Sequence, residues 1–188
     1  MAYNPRILAL DLASRTGWAC GDCSDAAPRC GSVRFAREGA SMGALFAGCR
    51  QWLSDFLATD PDIKLIVFEA PMTPQQMAGR TTADIMRRLS GLCAVVEELT
   101  STLGGYDVRE ARVSDVRSHF IGSNRHKRDQ AKGLTISACH RLGWAPADDN
   151  AADALALWHY QASILDPQLA VQTSPLFRRR VASPLMGA

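Results

Sequence analysis

The sequence predicts an α/β fold: a five-stranded mixed sheet, its first three strands antiparallel, flanked by helices. Two apolar runs, 6–11 and 63–69, contain β-branched residues and are typical of buried strands. Segments with apolar residues at helical spacing separate the later strands. At 188 residues the chain is long enough to bury one sizeable core, so a single main domain is expected.

The first third of the chain is predicted to form a meander. Residues 6–11 give one strand, and the stretches TGWAC and GSVRF give two short ones, joined by turn residues within 21–29. The pair Cys20 and Cys23 falls in that hairpin turn. Because the six cysteines are scattered along the chain, reduced thiols are expected rather than disulfides or zinc ligands.

Helices alternate with strands in the middle of the chain. Apolar residues recur at helical spacing over 42–57, and Pro61 lies just beyond that helix. Residues 63–69 read as a central buried strand. A second helix is predicted over 85–103, and the glycines at 104–105 end it.

The last part of the predicted domain is helical after one short strand over 106–109. One helix is expected over about 127–142 and a final one after Pro146, which gives the order β-β-β-α-β-α-β-α-α. We expect the domain to span 1–165. Residues 166–188, with their prolines and a triple arginine, are expected to form a flexible basic tail.

The overall composition excludes several classes of protein. A hydrophobic share of 47% with 21% charged residues is ordinary for a globular protein. No run approaches the roughly 18 apolar residues of a membrane span, and the N-terminus lacks the pattern of a secretory signal. A cytoplasmic protein is therefore expected.

Carboxylates at the ends of two predicted strands indicate a metal site. Asp11 and Glu69 end runs that are otherwise apolar, and sites in α/β sheets form at the carboxyl ends of strands. On the last helix Asp149 and Asp153 lie about 40° apart, whereas Asp148 is placed to cap it. Converging carboxylates favour Mg²⁺, with Mn²⁺ as a substitute, and two ions about 4 Å apart can promote phosphodiester cleavage.

The segment from 112 to 132 carries a local excess of four positive charges. Such a segment can follow a phosphate backbone. A solvated helix face is the alternative explanation.

Four blocks together resemble the RuvC-type Holliday junction resolvases, which have the RNase H-like fold. The blocks are ILALDLASRTGWA, LIVFEAPM, VRSHFIGSNRHKRDQ and DDNAADALALW, in the family's order and over residues 6–160. The form DLASRTGWA is more similar to the phage and prophage branch. The resemblance implies a magnesium-dependent endonuclease that acts as a homodimer on four-way or branched DNA and leaves symmetric nicks.

The resemblance also implies roles for single residues. Asp11, Glu69 and Asp153 stand where the family has its metal ligands. Asn150 stands where the family has a fourth ligand, Asp or His, and we expect the adjacent Asp149 to take that role. Lys127 is implied as a catalytic cation. The residues expected to contact DNA are Met72, Arg80, Arg117, Arg125, Lys127, Arg128 and Lys132.

Two other functions remain open from the residues. A junction-binding protein that has lost catalysis is suggested by Asn150. Sugar kinases and actin-like ATPases open with a similar phosphate-binding turn, which Asp11 and the pair at 16–17 match in part, but Ala13 replaces a glycine that this turn uses. The helix over 85–103 fits a dimer surface and core packing equally well.

Overall fold

A computed structural model describes residues 4–71 and 82–169. The strands are β1 (Arg6–Asp11), β2 (Thr16–Gly21), β3 (Arg29–Val33), β4 (Ile63–Glu69) and β5 (Asp107–Ala111). The helices are α1 (Met42–Thr59), α2 (Ala83–Leu103), α3 (Val113–Ile121), α4 (Arg128–Arg141) and α5 (Asp149–Leu165).

The five strands form one mixed sheet with the order β3-β2-β1-β4-β5. β1 pairs with β2, and β2 with β3, in antiparallel fashion, whereas β4 runs parallel to both β1 and β5. This confirms the predicted sheet with its antiparallel meander. Because β1 and β4 are parallel neighbours, their carboxyl ends meet at one edge of the sheet.

Each face of the sheet packs on its own layer of helices. From Ile7 in β1 and Leu65 in β4 onward, odd-numbered side chains join the core cluster that contains α3, α4 and α5. Even-numbered side chains, such as Leu8, join the cluster with α1 and α2. Successive side chains of a strand point to opposite faces, so Asp11 and Glu69 end the rows that face α5.

The structure corrects the predicted helix order at one point. Three helices follow β5 rather than two, since α3 occupies part of the basic segment. It has nine residues and buries only Val116 and Phe120, too few for a recognisable helical stripe. The predicted helix over 127–142 is confirmed as α4, with Lys127 as its N-cap.

The last long helix of the fold ends before the C-terminal stretch, and the predicted domain boundary stays a prediction. α5 ends at Leu165, and residues 170–188, which include the triple arginine, lie outside the described residues. No helix within 4–71 or 82–169 has the length and apolarity needed to cross a membrane. The six cysteines are free thiols in the structure.

Candidate active site

Strand pairing brings the two strand-terminal carboxylates together. Leu10 of β1 is registered opposite Phe68 of β4, so the next residue on each strand, Asp11 and Glu69, follow as neighbours at the sheet edge. Both carboxyl groups are partly buried. The predicted convergence of these two residues is therefore present in the fold.

A glycine allows α5 to approach this edge. Gly17 of β2 is registered opposite Asp11, and a Cβ added at Gly17 would lie only 1.9 Å from the carbonyl oxygen of Asn150. Any larger residue would force the first turn of α5 away from the sheet. Near the middle of α5, Trp158 Nε1 donates to the carbonyl oxygen of Gly21 at 3.0 Å and holds the helix against β2. Gly17 was predicted at the start of the strand TGWAC and in part as a phosphate-binding turn, and its packing role was not foreseen.

Asp11, Glu69 and Asp153 form an electrostatically coupled group. Burial, reinforced by Asp153, raises the pKa of Asp11 to about 7. Burial and then Asp11 raise the pKa of Glu69 to about 8, and burial raises the pKa of Asp153 to about 6. Among the described residues none of the three has an ion-pair partner. Three carboxylates from β1, β4 and α5 thus face one another without full compensation.

Asp149 differs from these three because it has a partner. Its carboxylate forms an ion pair with the ammonium of Lys132 on α4, and the hydrogen bond from Lys132 lowers the pKa of Asp149. Asp149 is still close enough to raise the pKa values of Asp11 and Asp153. Its role as a fourth ligand stays a prediction, and the Lys132 pairing was not foreseen.

Asp148 is confirmed as the N-cap of α5. Its Oδ1 accepts from the Ala151 amide at 2.9 Å, and its Oδ2 accepts from Ser32 Oγ at 2.6 Å and lies 3.1 Å from Arg15. Burial opposes these contacts, yet together they keep the pKa of Asp148 below its ordinary value. Asp148 therefore anchors α5 to β3 and to the β1–β2 turn.

The predicted basic residues do not all reach the acids. Arg117 and Lys132 lower the pKa values of both Asp11 and Asp153, and Arg128 also lowers that of Asp153. Lys127 is exposed, and within the described part of the chain its ammonium forms no ion pair. Arg125 is likewise exposed. Two further predicted DNA contacts, Met72 and Arg80, lie outside the described residues.

A small cavity opens beside the two strand-terminal acids. Its volume is about 200 Å³, and apart from Asp11 and Glu69 its lining is mostly apolar. The other lining residues are Leu12, Ala70, Pro71, Leu89, Cys93 and Val113. The acids therefore border a low-dielectric environment, which agrees with burial as the main cause of their raised pKa values.

The donor set fits a hard divalent cation. Within 4–71 and 82–169, no three His, Cys, Asp or Glu side chains stand as a ready-made metal-binding group. The chemistry of Asp11, Glu69 and Asp153 nevertheless suits Mg²⁺ or Mn²⁺, because all three offer carboxylate oxygens and repel one another. A bound cation would reverse the effect of that repulsion on their pKa values.

Known proteins resemble this chain in structure rather than in sequence. Neither the protein-family models nor the curated proteins give a match. Thermus thermophilus RuvC in complex with a Holliday junction substrate matches with a TM-score of 0.63 at 11% identity, covering 88% of this chain and 96% of that chain. Another T. thermophilus RuvC structure matches at 0.55 and 13%, covering 90% and 98%.

The similarity extends to a eukaryotic protein. The yeast mitochondrial Holliday junction resolvase Ydc2 matches with a TM-score of 0.59 at 12% identity, covering 89% of this chain and 84% of that chain. These matches confirm the predicted α/β class, and this chain has the RuvC-like form of the RNase H fold.

Proposed function

We propose that this protein is a structure-selective endodeoxyribonuclease that resolves four-way or branched DNA junctions by metal-dependent hydrolysis, leaving symmetric nicks. One observation carries the proposal. In a fold shared with junction resolvases, Asp11, Glu69 and Asp153 converge from β1, β4 and α5 at one sheet edge with raised pKa values. Partly buried acids that have raised pKa values and, among the described residues, no ion-pair partner are typical of a catalytic site.

The metal ligands proposed are Asp11, Glu69 and Asp153, with Asp149 as the candidate fourth. Two Mg²⁺ ions, or Mn²⁺ in their place, would when bound supply an activated water and stabilise the leaving oxygen of a phosphodiester. Release of Asp149 from Lys132 would make its carboxylate available. Asp148 caps α5 and anchors it to β3 through Ser32, so it is not proposed as a ligand.

Basic side chains next to the acids would hold the phosphate. Arg117 on α3 and Lys132 on α4 already act on the pKa values of Asp11 and Asp153. A cation at this place stabilises the negative charge that develops on the phosphoryl oxygens. The resemblance implies Lys127, at the N-cap of α4, as the catalytic cation, but we propose Lys132 for that role because Lys132 pairs with an acid of the site and Lys127 is exposed. Lys127, Arg125 and Arg128 are proposed to contact the backbone of an adjoining arm.

A homodimer would match the two-fold symmetry of a four-way junction, because each subunit then presents one site to one of two equivalent strands. α2 packs Leu92 and Val96 into the core and leaves Ile85 and Leu103 exposed at its two ends, 41% and 51% accessible. These exposed apolar side chains support α2 as part of the subunit interface. The phage or prophage origin of this branch rests on the sequence block around Asp11.

A junction cleavage assay tests the proposal. Purified protein with Mg²⁺ should nick a synthetic four-way junction at symmetry-related positions on two opposing strands. Asp11→Asn should abolish cleavage but retain junction binding, because the variant removes a ligand charge and keeps the side-chain shape. The matched control is Asp62→Asn, at the exposed start of β4 and hence at the opposite end of the sheet.

Two results would contradict the proposed nuclease activity. Wild type that binds junctions but never cuts them with Mg²⁺ or Mn²⁺ would favour a catalytically impaired junction-binding protein, which the pairing of Asp149 with Lys132 also supports. Hydrolysis of ATP without cleavage of DNA would favour the kinase-like alternative.

A further inference from the structure

A second cavity, of about 290 Å³, lies beside the acidic site and is lined by three arginines. Arg34 and Arg37 come from the segment between β3 and α1, and Arg88 comes from α2. The remaining lining includes Ser14 and one acid, Glu38. Neither the sequence pattern nor the basic segment at 112–132 pointed to this place.

The arginine cavity and the acidic cavity are lined by the same two elements, the turn after Asp11 and α2. Arg88 Nη1 donates to Ser14 Oγ at 2.6 Å, which joins α2 to the turn that follows Asp11. The next residue on α2, Leu89, lines the acidic cavity, as does Leu12 from the same turn. The two cavities therefore lie on either side of one turn and one stretch of helix.

The arginines of this cavity are uncompensated. Within the described ranges, Arg34, Arg37 and Arg88 form no ion pair. Other arginines of the fold do find acids, as Arg15 does with Asp148 and Arg29 with Asp60. Three guanidinium groups against one carboxylate around a concave surface fit an anion with several acceptor oxygens.

The chain around the arginines adds to the positive potential. Residues 40–42, which enter α1, line the cavity, and the first turn of that helix carries no acidic side chain. The amino end of a helix is the positive end of its dipole, so it favours an anion placed there.

We infer that this cavity binds a backbone phosphate of the DNA strand that continues past the cleaved bond; the inference rests on the proposed function. The basic segment at 112–132 belongs to the α3–α4 side of the sheet, whereas the arginine cavity belongs to the α1–α2 side. A strand that crosses the edge at Asp11 and Glu69 would meet positive charge on both sides. Continuous contact of this kind suits a polyanion better than a free phosphate ion.

The test compares junction binding by two double variants. One is Arg34→Gln/Arg37→Gln, which removes two exposed charges from the cavity. The control is Lys64→Gln/Arg141→Gln, which removes two exposed charges elsewhere: Lys64 at the start of β4 and Arg141 at the end of α4, about 14 Å along that helix from Lys132. Both are measured without divalent metal, so that cleavage does not interfere.

The cavity variant should lose affinity more than the control does. Each lost phosphate contact reduces the magnitude of the slope of log K against log salt by about 0.9, so a reduction of about 0.9 is expected for the one phosphate, with roughly tenfold weaker binding at moderate salt. The control should keep a slope within experimental error of wild type. Equal slopes for all three proteins would overturn the inference.

Neutral linkages locate the contact. Junctions with one methylphosphonate, placed in turn around the nick, should show a position at which wild type loses affinity and the Arg34→Gln/Arg37→Gln variant loses none further. If the affinity losses from the neutral linkage and from the double variant add fully at every position, the inference is overturned. It is also overturned if inorganic phosphate binds in the cavity while the double variant leaves junction affinity unchanged.

Failure of the inference and failure of the proposed function give different results. If wild type binds and cuts junctions but the cavity variant behaves as the control does, only the phosphate cavity is wrong. If wild type does not bind junctions at all, the proposed function is wrong and the inference falls with it.

Discussion

Two carboxylate sites lie at opposite ends of the same sheet, and they differ in whether the acids have ion-pair partners. Near the start of β4, Asp60 Oδ2 lies 2.5 Å from Arg29 Nη2 and 3.1 Å from Arg6 Nε. At the other end, Asp11 and Glu69 are partly buried without an ion-pair partner among the described residues, and Asp11 adds to the effect of burial in raising the pKa of Glu69. A carboxylate used for structure is paired, and the unpaired group carries a cost that a bound cation would remove.

Glu69→Gln should reduce cleavage without reducing stability. We expect cleavage of a four-way junction to fall about 10³-fold or more, because a ligand charge is lost at the reacting centre. The metal-free variant should be at least as stable as wild type, since it relieves repulsion with Asp11. Single-turnover cleavage and urea unfolding measure the two effects.

The matched variant at the other end is Asp60→Asn, which should reduce stability without reducing cleavage. Its unfolding free energy should drop by about 2 kcal/mol, because Arg6 and Arg29 lose their shared partner. Cleavage by the folded fraction should stay unchanged. Loss of cleavage without loss of stability in Asp60→Asn would show that the two ends are not functionally distinct.

Lys132→Gln and Lys127→Gln test which lysine acts as the catalytic cation. The family resemblance favours Lys127 as the catalytic cation, whereas the structure pairs Lys132 with Asp149 and leaves Lys127 exposed. We expect Lys132→Gln to lower the single-turnover rate by about 10²-fold. Lys127→Gln should mainly weaken junction binding, as loss of a backbone contact would. A larger rate loss in Lys127→Gln, with binding equal for both variants, would contradict this order.

Local patterns accounted for much of the fold and of the acid set. The apolar runs ending in Asp11 and Glu69 have the period and length of buried strands, and parallel pairing then brings their ends together. Asp148 was identified as a cap because capping depends on a residue three positions away, the Ala151 amide. Such features depend on neighbours in sequence, so they can be inferred from one chain.

Contacts between distant elements were not predictable in this way. The pairing of Asp149 with Lys132 depends on how α4 packs against α5, and the need for Gly17 depends on the closeness of α5 to β2. The arginine cavity joins two segments more than fifty residues apart, 34–37 and Arg88. α3 was missed for another reason: it buries two residues and has no long periodic stripe.

The pH dependence of stability addresses the unpaired end directly. Asp11, Glu69 and Asp153 have pKa values raised by burial to about 7, 8 and 6, from ordinary values near 4. The folded state therefore holds these protons more tightly than the unfolded chain does, so its stability is greatest below the ordinary pKa values and declines as pH rises towards about 8. Asp11→Asn removes one of the three groups.

Metal-free wild type should accordingly lose more unfolding free energy between pH 5 and pH 8 than Asp11→Asn does, by on the order of 2 kcal/mol. Urea titrations across that range measure the difference, and comparing the two proteins cancels other titrating groups such as His159, whose pKa burial lowers to about 3. Asp62→Asn should follow wild type. Mg²⁺ should restore the stability of wild type at pH 8 but help Asp11→Asn less. If the unfolding free energies of wild type and Asp11→Asn depend on pH in the same way, the charge of Asp11 is compensated in the fold. The contrast with Asp60 would then lose its physical basis.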